Sequence, residues 1–177
     1  MVGYSFGGRL ALGLLQAAPE RFRAATIIAA HPGLTDSAER EQRRRADQLW
    51  IKQLRTEGIA AFVDSWAQQP LFATQSRLSP AVLARQRAGR LQHRAEGLAN
   101  CLERLGLAEM PSTWETLARF SGQLQWVVGS ADQKFLELGQ RVMQQRPQTT
   151  LHIFNDIGHN PLLEAPEMLA DVIRDLI

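Results

Sequence analysis

The spacing of apolar positions predicts a buried helix and then a buried strand near the start of the chain. Residues 10–15 are apolar on every side, which is typical of a helix at the centre of a domain, and Pro19 ends it. Residues 24–30 form a continuous apolar run that stops at His31-Pro32-Gly33. Such a run is typical of a parallel strand covered on both faces.

The pattern then changes to consecutive helices, from about Leu34 to Ser121. Asp36 or Ser37 can cap a first helix that Gly58 ends. The next helix has one apolar face at i, i+3, i+4 and i+7, formed by Ile59, Phe62, Val63 and Trp66. A third helix begins at Ser79-Pro80, and Gly106 ends a fourth. Because no strand pattern interrupts this region, we predict a helical lid inserted over residues 34–121.

Alternation of strand and helix resumes in residues 122–177. Residues 124–129 and 149–154 have the pattern of strands, and a helix is expected between them. A last helix is predicted from one apolar stripe, which consists of Leu169, Val172, Ile173 and Leu176. Together with residues 1–33, this segment predicts an α/β core, a parallel sheet flanked by helices, into which the lid is inserted.

Composition narrows the class of protein. The chain has 177 residues, is 45% hydrophobic and carries a net charge of +2, as expected for a globular protein of ordinary size. A single cysteine, Cys101, excludes an internal disulfide and fits a reducing cytoplasm. No signal peptide and no apolar run long enough to span a membrane is evident, so we expect a cytoplasmic protein.

Charge is distributed unevenly along the chain. Residues 35–100 contain eleven Lys or Arg and seven Asp or Glu. A local basic excess indicates either nucleic acid or a small anionic ligand, although any single arginine can belong to a solvated helix face. We do not expect nucleic-acid binding, because aromatic interleaving and a recognition motif are lacking. No clustered His/Cys spacing indicates a metal site.

A Gly-x-Ser-x-Gly stretch lies ahead of the first helix, at Gly3, Ser5 and Gly7. In a strand-to-helix turn this spacing forces the serine into a strained conformation that exposes its hydroxyl, and residues two before and two after it must lack side chains. The helix that follows directs N–H groups at an oxyanion formed beside the serine. An ordinary glycine-rich turn is the alternative on these residues alone.

A serine needs a base and an orienting carboxylate to react. His159 lies in a loop just past the last predicted strand, and Asp132 follows the strand before it, 27 residues earlier. Asp156 is a rival acid, but its position in the same loop as His159 favours a turn former. The other histidines fit the role of base less well. His93 and His152 lie within a predicted helix and a predicted strand, and His31 has no acid placed to orient it. The order Ser, Asp, His is that of the α/β-hydrolase triad.

Further stretches carry a more specific similarity that runs nearly end to end. They are Gly3–Arg9, His31–Leu34, Arg43–Asp47, Phe62–Trp66 with Gln69–Phe72, Gly97–Asn100, Gly129–Phe135 and Gly158-His159. Through them the chain resembles the α/β-hydrolase superfamily. Within that superfamily it is similar to the 2-succinyl-6-hydroxy-2,4-cyclohexadiene-1-carboxylate synthases, lyases of menaquinone and phylloquinone biosynthesis.

The resemblance implies roles for particular residues. Ser5, Asp132 and His159 would form the triad, and the backbone N–H of Phe6 would contribute to the oxyanion hole. A small substrate bearing carboxylates would be held by Tyr4, Arg9, Arg43, Trp66 and Arg87. Arginine forks suit such a substrate. Arg44 and Arg45 are expected on a solvated helix face. The spacing of Trp66 fits a place in the core of its helix packing as well as it fits contact with substrate.

The resemblance also implies a reaction. Ser5, activated through His159 and Asp132, would abstract a substrate proton, and pyruvate would be eliminated from a succinyl-enolpyruvyl-hydroxycyclohexene-carboxylate. No metal or organic cofactor is required for this chemistry. Two alternatives stay open: a serine hydrolase of esters or carbon–carbon bonds on the same fold, and a non-catalytic remnant or binding module.

The chain departs from the family pattern at its start. The family's sheet has about five strands before the nucleophile, and here only Met1-Val2 precedes the motif. The difference amounts to about 80 residues, including the loop that supplies a second oxyanion-hole donor. We therefore expect an N-terminally truncated enzyme whose partner is a missing segment or chain. Alone, it should be inactive and poorly folded, because an apolar sheet edge is exposed.

Overall fold

The computed structural model describes residues 1–175 and divides the chain into two compact units. One consists of Met1–Pro32 with the segment from Ser112 onward, and the other is Gly33–Pro111. In chain order the elements are β1 (Val2–Tyr4), α1 (Phe6–Ala17), β2 (Ala24–Ile28), α2 (Ser37–Ala67), α3 (Pro80–Leu91), α4 (Ala95–Leu105), α5 (Trp114–Arg119), β3 (Gln123–Gly129), α6 (Gln133–Gln145), β4 (Thr150–Phe154), α7 (Pro161–Glu164) and α8 (Pro166–Arg174). Two 3₁₀ segments, Pro19–Arg21 and Pro70–Arg77, complete the list.

The first unit is built on a parallel sheet with the strand order β1-β2-β3-β4. Ile27 lies opposite Gly3 on one side and Trp126 on the other, so β2 pairs along both edges. Residues 25–28 and 124–129 are buried throughout, as their continuous apolar runs predict. The predicted α/β class, with a parallel sheet flanked by helices, is confirmed. Because all four strands run the same way, their carboxyl ends meet at one edge of the sheet.

The helices of the first unit bury one face each. In α1 the buried positions include Leu12 and Leu15, whereas Leu10 and Leu14 are exposed. The prediction that this helix is buried on every side is therefore wrong for the described part of the chain. In α8, Leu169 and Val172 are buried as predicted, while Leu176 of the same predicted stripe lies outside the described residues.

The second unit is helical and has its own core. The Asp36 carboxylate accepts the Glu39 N–H at 2.9 Å, which caps α2, and Ser79 caps α3. Gly58 has φ 80° and ψ −174° and breaks α2, so the predicted boundary falls at a real kink. Buried residues of α2 and α4 pack together in one cluster, made of Ile51, Leu54, Phe62, Val63 and Ala99.

The second unit ends before the predicted end of the lid. It stops at Pro111, whereas the helical pattern extends to Ser121. The segment in between contains α5, whose Trp114 and Leu117 are buried within the first unit. Thr113 fixes its start, since both its N–H and its hydroxyl donate to the Pro32 carbonyl oxygen, at 2.7 and 2.8 Å. No helix within residues 1–175 is both long and apolar enough to cross a membrane.

Candidate active site

Ser5 occupies the turn between β1 and α1 and has a strained backbone. Its φ of 48° and ψ of −110° lie in a region that non-glycine residues rarely adopt. The Ser5 N–H donates to the Ile28 carbonyl at 2.8 Å, and its own carbonyl accepts the Arg9 N–H at 3.0 Å. These bonds hold the strained turn between β2 and the first turn of α1. The hydroxyl is therefore presented at the carboxyl edge of the sheet, as the motif predicts.

Two glycines make room for this turn. A Cβ on Gly3 would lie 2.6 Å from the Gly7 carbonyl oxygen, and one on Gly8 would lie 2.6 Å from the Ala30 Cβ. Both distances are far below van der Waals contact, so neither position accepts a side chain without movement of the backbone. A Cβ on Gly7 would meet nothing within 4 Å among the described residues. The motif predicts this steric requirement at Gly3 and Gly7, whereas in the structure it falls on Gly3 and Gly8.

Three predicted residues meet at the edge of the sheet. The Ser5 hydroxyl oxygen lies 3.0 Å from Nε2 of His159, and Nδ1 of His159 lies 2.7 Å from Oδ2 of Asp132. A carboxylate can only accept, so Nδ1–H donates to Asp132 and Nε2 is left to accept the serine hydroxyl proton. The side chains of His159 and Asp132 are 2% and 5% exposed. Burial keeps water from competing for these bonds.

The structure distinguishes the two candidate acids. Asp132 lies at the end of the β3–α6 connection and directs its carboxylate at His159. Asp156 has φ 60° and its N–H donates to the Ser130 hydroxyl at 2.8 Å, as expected for a turn residue. Asp156 thus shapes the loop that carries His159, and Asp132 provides the carboxylate that contacts the imidazole.

The acid loop and the histidine loop are bonded to each other. The Ala131 N–H donates to the Ile157 carbonyl at 3.0 Å, beside the Asp156–Ser130 bond. Gly129 allows this approach, because a Cβ there would clash with the carbonyl oxygens of Ile157 and Gly158. Asp132 and His159 are therefore brought together by backbone contacts as well as by their own hydrogen bond.

Two aromatic rings enclose His159. The Tyr4 ring centroid lies 5.6 Å from the imidazole centroid, and that of Phe135 lies 4.5 Å away. Tyr4 is among the site residues that the resemblance implies, and Phe135 is not. Its signal was its place in the first turn of α6, three residues after the acid. Both rings limit the orientations open to His159.

The first turn of α1 provides N–H groups and one arginine. Phe6 is the first residue of the helix, where a backbone N–H has no intrahelical acceptor and the helix dipole favours negative charge. Arg9 places its guanidinium carbon 4.9 Å from the centroid of the Phe6 ring. This end of the site is therefore suited to an anion.

The other predicted substrate residues lie in the second unit, where two of them have internal partners. Arg43 donates to Asp47 at 2.9 Å. Arg87 makes two bonds to Asp64, at 2.9 and 3.1 Å, on an exposed surface. These hydrogen bonds lower the pKa of the Asp64 carboxyl and raise that of the Arg87 guanidinium. Of the neighbouring arginines, Arg44 bonds Glu109 and Glu41, and Arg45 bonds Glu41.

Trp66 belongs to an aromatic cluster of the second unit. Its ring centroid lies 5.2 Å from those of Trp50 and Phe62 and 6.3 Å from that of Phe72. Trp66 is half-buried, so these contacts show a packing role and leave part of the ring accessible. Of the remaining histidines, His31 is buried beyond β2, His93 is exposed after α3 and His152 is half-buried in β4.

Known proteins resemble this chain along its whole length. A provisionally named 2-succinyl-6-hydroxy-2,4-cyclohexadiene-1-carboxylate synthase of Bacillus subtilis (strain 168) is 32% identical over all of the chain, which covers 65% of that protein. The synthase of that name from Salmonella heidelberg (strain SL476) is 30% identical, with 67% of its length covered. The chain thus spans about two thirds of the length of these relatives.

Structural similarity agrees with the sequence comparison. The structure of MenH from S. aureus superimposes with a TM-score of 0.95 at 26% identity, covering 99% of this chain and 66% of that one. The model of the alpha/beta hydrolase family matches residues 1–172. That match includes the strained serine turn, the acid loop and the histidine loop described above. The chain therefore belongs to the α/β-hydrolase family.

Proposed function

We propose that the Ser5–His159–Asp132 site eliminates pyruvate from a succinyl-enolpyruvyl-hydroxycyclohexene-carboxylate, a step of menaquinone or phylloquinone biosynthesis. The observation that carries the proposal is the continuous hydrogen-bonded path from the Ser5 hydroxyl through His159 to Asp132. The names of the relatives from Bacillus subtilis and Salmonella give the product, a succinyl-hydroxycyclohexadiene-carboxylate, which is what remains of the proposed substrate after pyruvate is lost. The triad by itself fits any reaction that needs an activated serine.

Proton transfer follows from the hydrogen bonds. His159 Nε2 takes the Ser5 hydroxyl proton as the serine oxygen removes a proton from the substrate ring. The electron pair of the broken C–H bond moves through the conjugated system, and the C–O bond to the enolpyruvyl group breaks. The enolate of pyruvate that departs takes up the proton held on His159 Nε2, so pyruvate is released, the imidazole is neutral again and the ring becomes a cyclohexadiene. Asp132 accepts the Nδ1–H bond throughout and stabilises the imidazolium that forms.

Negative charge develops on the substrate during this step. The N–H of Phe6 at the start of α1 would stabilise this charge, and the dipole of α1 would add to the effect. Arg9 and Tyr4, on either side of Ser5 in the sequence, would bind the substrate carboxylates. Arg43, Trp66 and Arg87 are further proposed contacts that rest on the resemblance, and Arg87 would have to exchange its bonds to Asp64 for substrate.

Pyruvate release by the purified chain tests the proposal. In trimethylamine N-oxide, which favours the compact state of a chain with an exposed sheet edge, a coupled lactate dehydrogenase assay should show release that Ser5→Ala lowers by about 10³-fold or more. Ser121→Ala, an exposed serine outside the site, is the matched control and should leave the rate unchanged. Circular dichroism has to show that all three proteins are folded. A folded chain that releases no pyruvate, or a Ser5→Ala variant as active as the parent, would contradict the proposal.

The same geometry favours a second candidate, a serine hydrolase of esters or carbon–carbon bonds. A serine hydroxyl 3.0 Å from an imidazole nitrogen is also the arrangement of an activated nucleophile. A burst of product from an activated ester would indicate an acyl-enzyme and support this candidate. Arg9→Ala separates the two, because it should reduce pyruvate elimination and spare ester hydrolysis. A folded chain inactive in both assays would favour the non-catalytic remnant.

A further inference from the structure

One carboxylate accepts hydrogen bonds from both sides of His159. Glu164, the last residue of the short helix α7, accepts the Gly158 N–H at 2.8 Å through Oε2. Its other oxygen, Oε1, accepts the Asn160 N–H at 3.1 Å. The two amides that flank His159 in the chain are thus directed at a single side chain five residues later in sequence.

These two bonds give acceptors to backbone N–H groups that are buried. Gly158, His159 and Asn160 are all buried, and a buried N–H without an acceptor destabilises the fold. No strand or helix ladder is available to these amides, because β4 has ended at Phe154 and α7 begins only at Pro161. A carboxylate has two acceptor oxygens and forms stronger bonds than a neutral acceptor, so one Glu serves both amides.

The Glu164 bonds complement those on the other side of the loop. Upstream of His159, Asp156 and Ile157 are bonded to Ser130 and Ala131 of the acid loop. Downstream, the Glu164 carboxylate holds the segment from Gly158 to Asn160. The backbone of His159 is therefore held at both ends. Its imidazole reaches Asp132 and Ser5 from a fixed position.

We propose that Glu164 is a positioning residue, which holds the His159 loop so that Nε2 faces the Ser5 hydroxyl and Nδ1 faces Asp132. Glu164 donates no proton and bonds no reacting atom; it acts through the two amides. The effect on catalysis rests on the proposed function, whereas the effect on the loop and on the His159–Asp132 bond does not. Small displacements of a catalytic base lower rates steeply, by about 10²-fold for 1 Å.

Glu164→Gln tests the proposal with little change of volume, because one of the two acceptor oxygens becomes an NH₂ donor. We expect kcat for pyruvate release to fall by about 10–100-fold with KM changed less than about twofold. Glu164→Asp keeps both acceptors on a shorter side chain and should recover part of the loss. Glu167→Gln, an exposed glutamate in the first turn of α8, is the matched control and should match the parent.

Two readouts do not depend on any activity. Hydrogen exchange of a peptide covering residues 155–163 should be faster in Glu164→Gln than in the parent and Glu167→Gln. The downfield proton NMR signal of the His159 Nδ1–H bond to Asp132 should broaden or disappear in the same variant. Were the parent to release no pyruvate, these two measurements would still test the positioning role.

The outcomes separate the possibilities. Faster exchange with an unchanged Nδ1–H signal and unchanged kcat would make Glu164 a structural cap of α7 and overturn the proposal. Unchanged exchange would overturn it as well. If Glu164→Gln does not fold, Glu164→Asp carries the test alone, and parent-like exchange, NMR signal and kcat in that variant would contradict a positioning role.

Discussion

Gly129 determines how closely the acid loop and the histidine loop can approach. It ends β3, and any Cβ there would collide with two backbone carbonyl oxygens, those of Ile157 and Gly158. Backbone oxygens cannot rotate away as a side chain can, so the loops would have to separate. The contact between Asp132 and His159 therefore requires that residue 129 has no Cβ.

Gly129→Ala should therefore lower the free energy of unfolding by about 1–3 kcal/mol, as other overpacked sites do. It should also weaken catalysis, since the loops that carry the acid and the base move apart. Gly13→Ala is the control, because a Cβ there meets nothing within 4 Å among the described residues and α1 should gain about 0.5–1 kcal/mol. The free energy of unfolding of both variants and the parent is measured by urea unfolding. Equal stability of Gly129→Ala and the parent would contradict the predicted clash.

His152 gives the stability of the protein a pH dependence. Burial lowers the pKa of its imidazole below the ordinary value of 6.5, and Asp175 opposes the shift. Its Nε2 is buried and has no hydrogen-bond partner among the described residues. The unfolded chain therefore takes up a proton more readily than the folded chain. The stabilisation is fully present above the unfolded pKa and is lost as pH falls towards the folded pKa.

We expect the free energy of unfolding to decrease from about pH 7 down to about pH 5, and His152→Gln to flatten this slope. His93→Gln, at an exposed histidine, should leave the slope as it is in the parent. The measurement is urea unfolding at a series of pH values. A slope that is the same in His152→Gln and the parent would show that other groups cause it.

The meeting of Ser5, Asp132 and His159 could be predicted from sequence because its signals are local. Ser5 lies in a spaced glycine motif, and Asp132 and His159 each follow a strand that the apolar runs reveal. The geometry brings them together as predicted. Gly8 and Glu164 could not be assigned in this way, since their partners, Ala30 and the amides around His159, are identified only once the chain is folded. The Asp64 partner of Arg87 lies 23 residues away and left no sequence signal.

At the scale of single elements, α2 shows what one glycine does to a long helix. Gly58 has φ 80° and ψ −174°, a conformation that side chains strongly disfavour, and the chain changes direction there. The Asp36 cap and the Ser79 cap are local features of the same kind. The sequence predicts the break at Gly58, offers Asp36 or Ser37 as the first cap and begins α3 at Ser79-Pro80 without assigning the cap. The six-residue α5 and four-residue α7 were missed, because so few residues cannot show a 3.6-residue period.

Gly58→Ala should destabilise the second unit by about 1–3 kcal/mol, because alanine is strained at this φ and ψ. The cause is the backbone alone, since a Cβ at Gly58 would meet nothing within 4 Å among the described residues. Gly89→Ala in α3 is the matched control, with equal space and no positive φ, and should stabilise by about 0.5–1 kcal/mol. Thermal unfolding followed by circular dichroism compares them. A stabilised Gly58→Ala would mean that the kink is not required.

At the scale of the whole molecule, the first unit exposes apolar surface along β1 and α1. Val2, Leu10 and Leu14 are 48%, 46% and 53% exposed. In the described chain β1 pairs with β2 along one edge only, so the N–H and C=O groups of its other edge lack strand partners. Such an edge contributes little to stability and promotes association between chains.

We therefore expect the 177-residue chain to unfold at low urea concentration and to associate as its concentration rises. Trimethylamine N-oxide favours compact states by exclusion from the protein surface, so it should raise both the folded fraction and pyruvate release in parallel. Leu10→Gln with Leu14→Gln should reduce association, seen by analytical ultracentrifugation, since neither side chain is part of the buried core. In the same osmolyte, Ser5→Ala should fold to the same extent and stay inactive. Sharp two-state unfolding of a monomer in plain buffer, together with full pyruvate release, would contradict this expectation. Those results would show that the exposed sheet edge does not limit the folding of the unit that carries Ser5, His159 and Asp132.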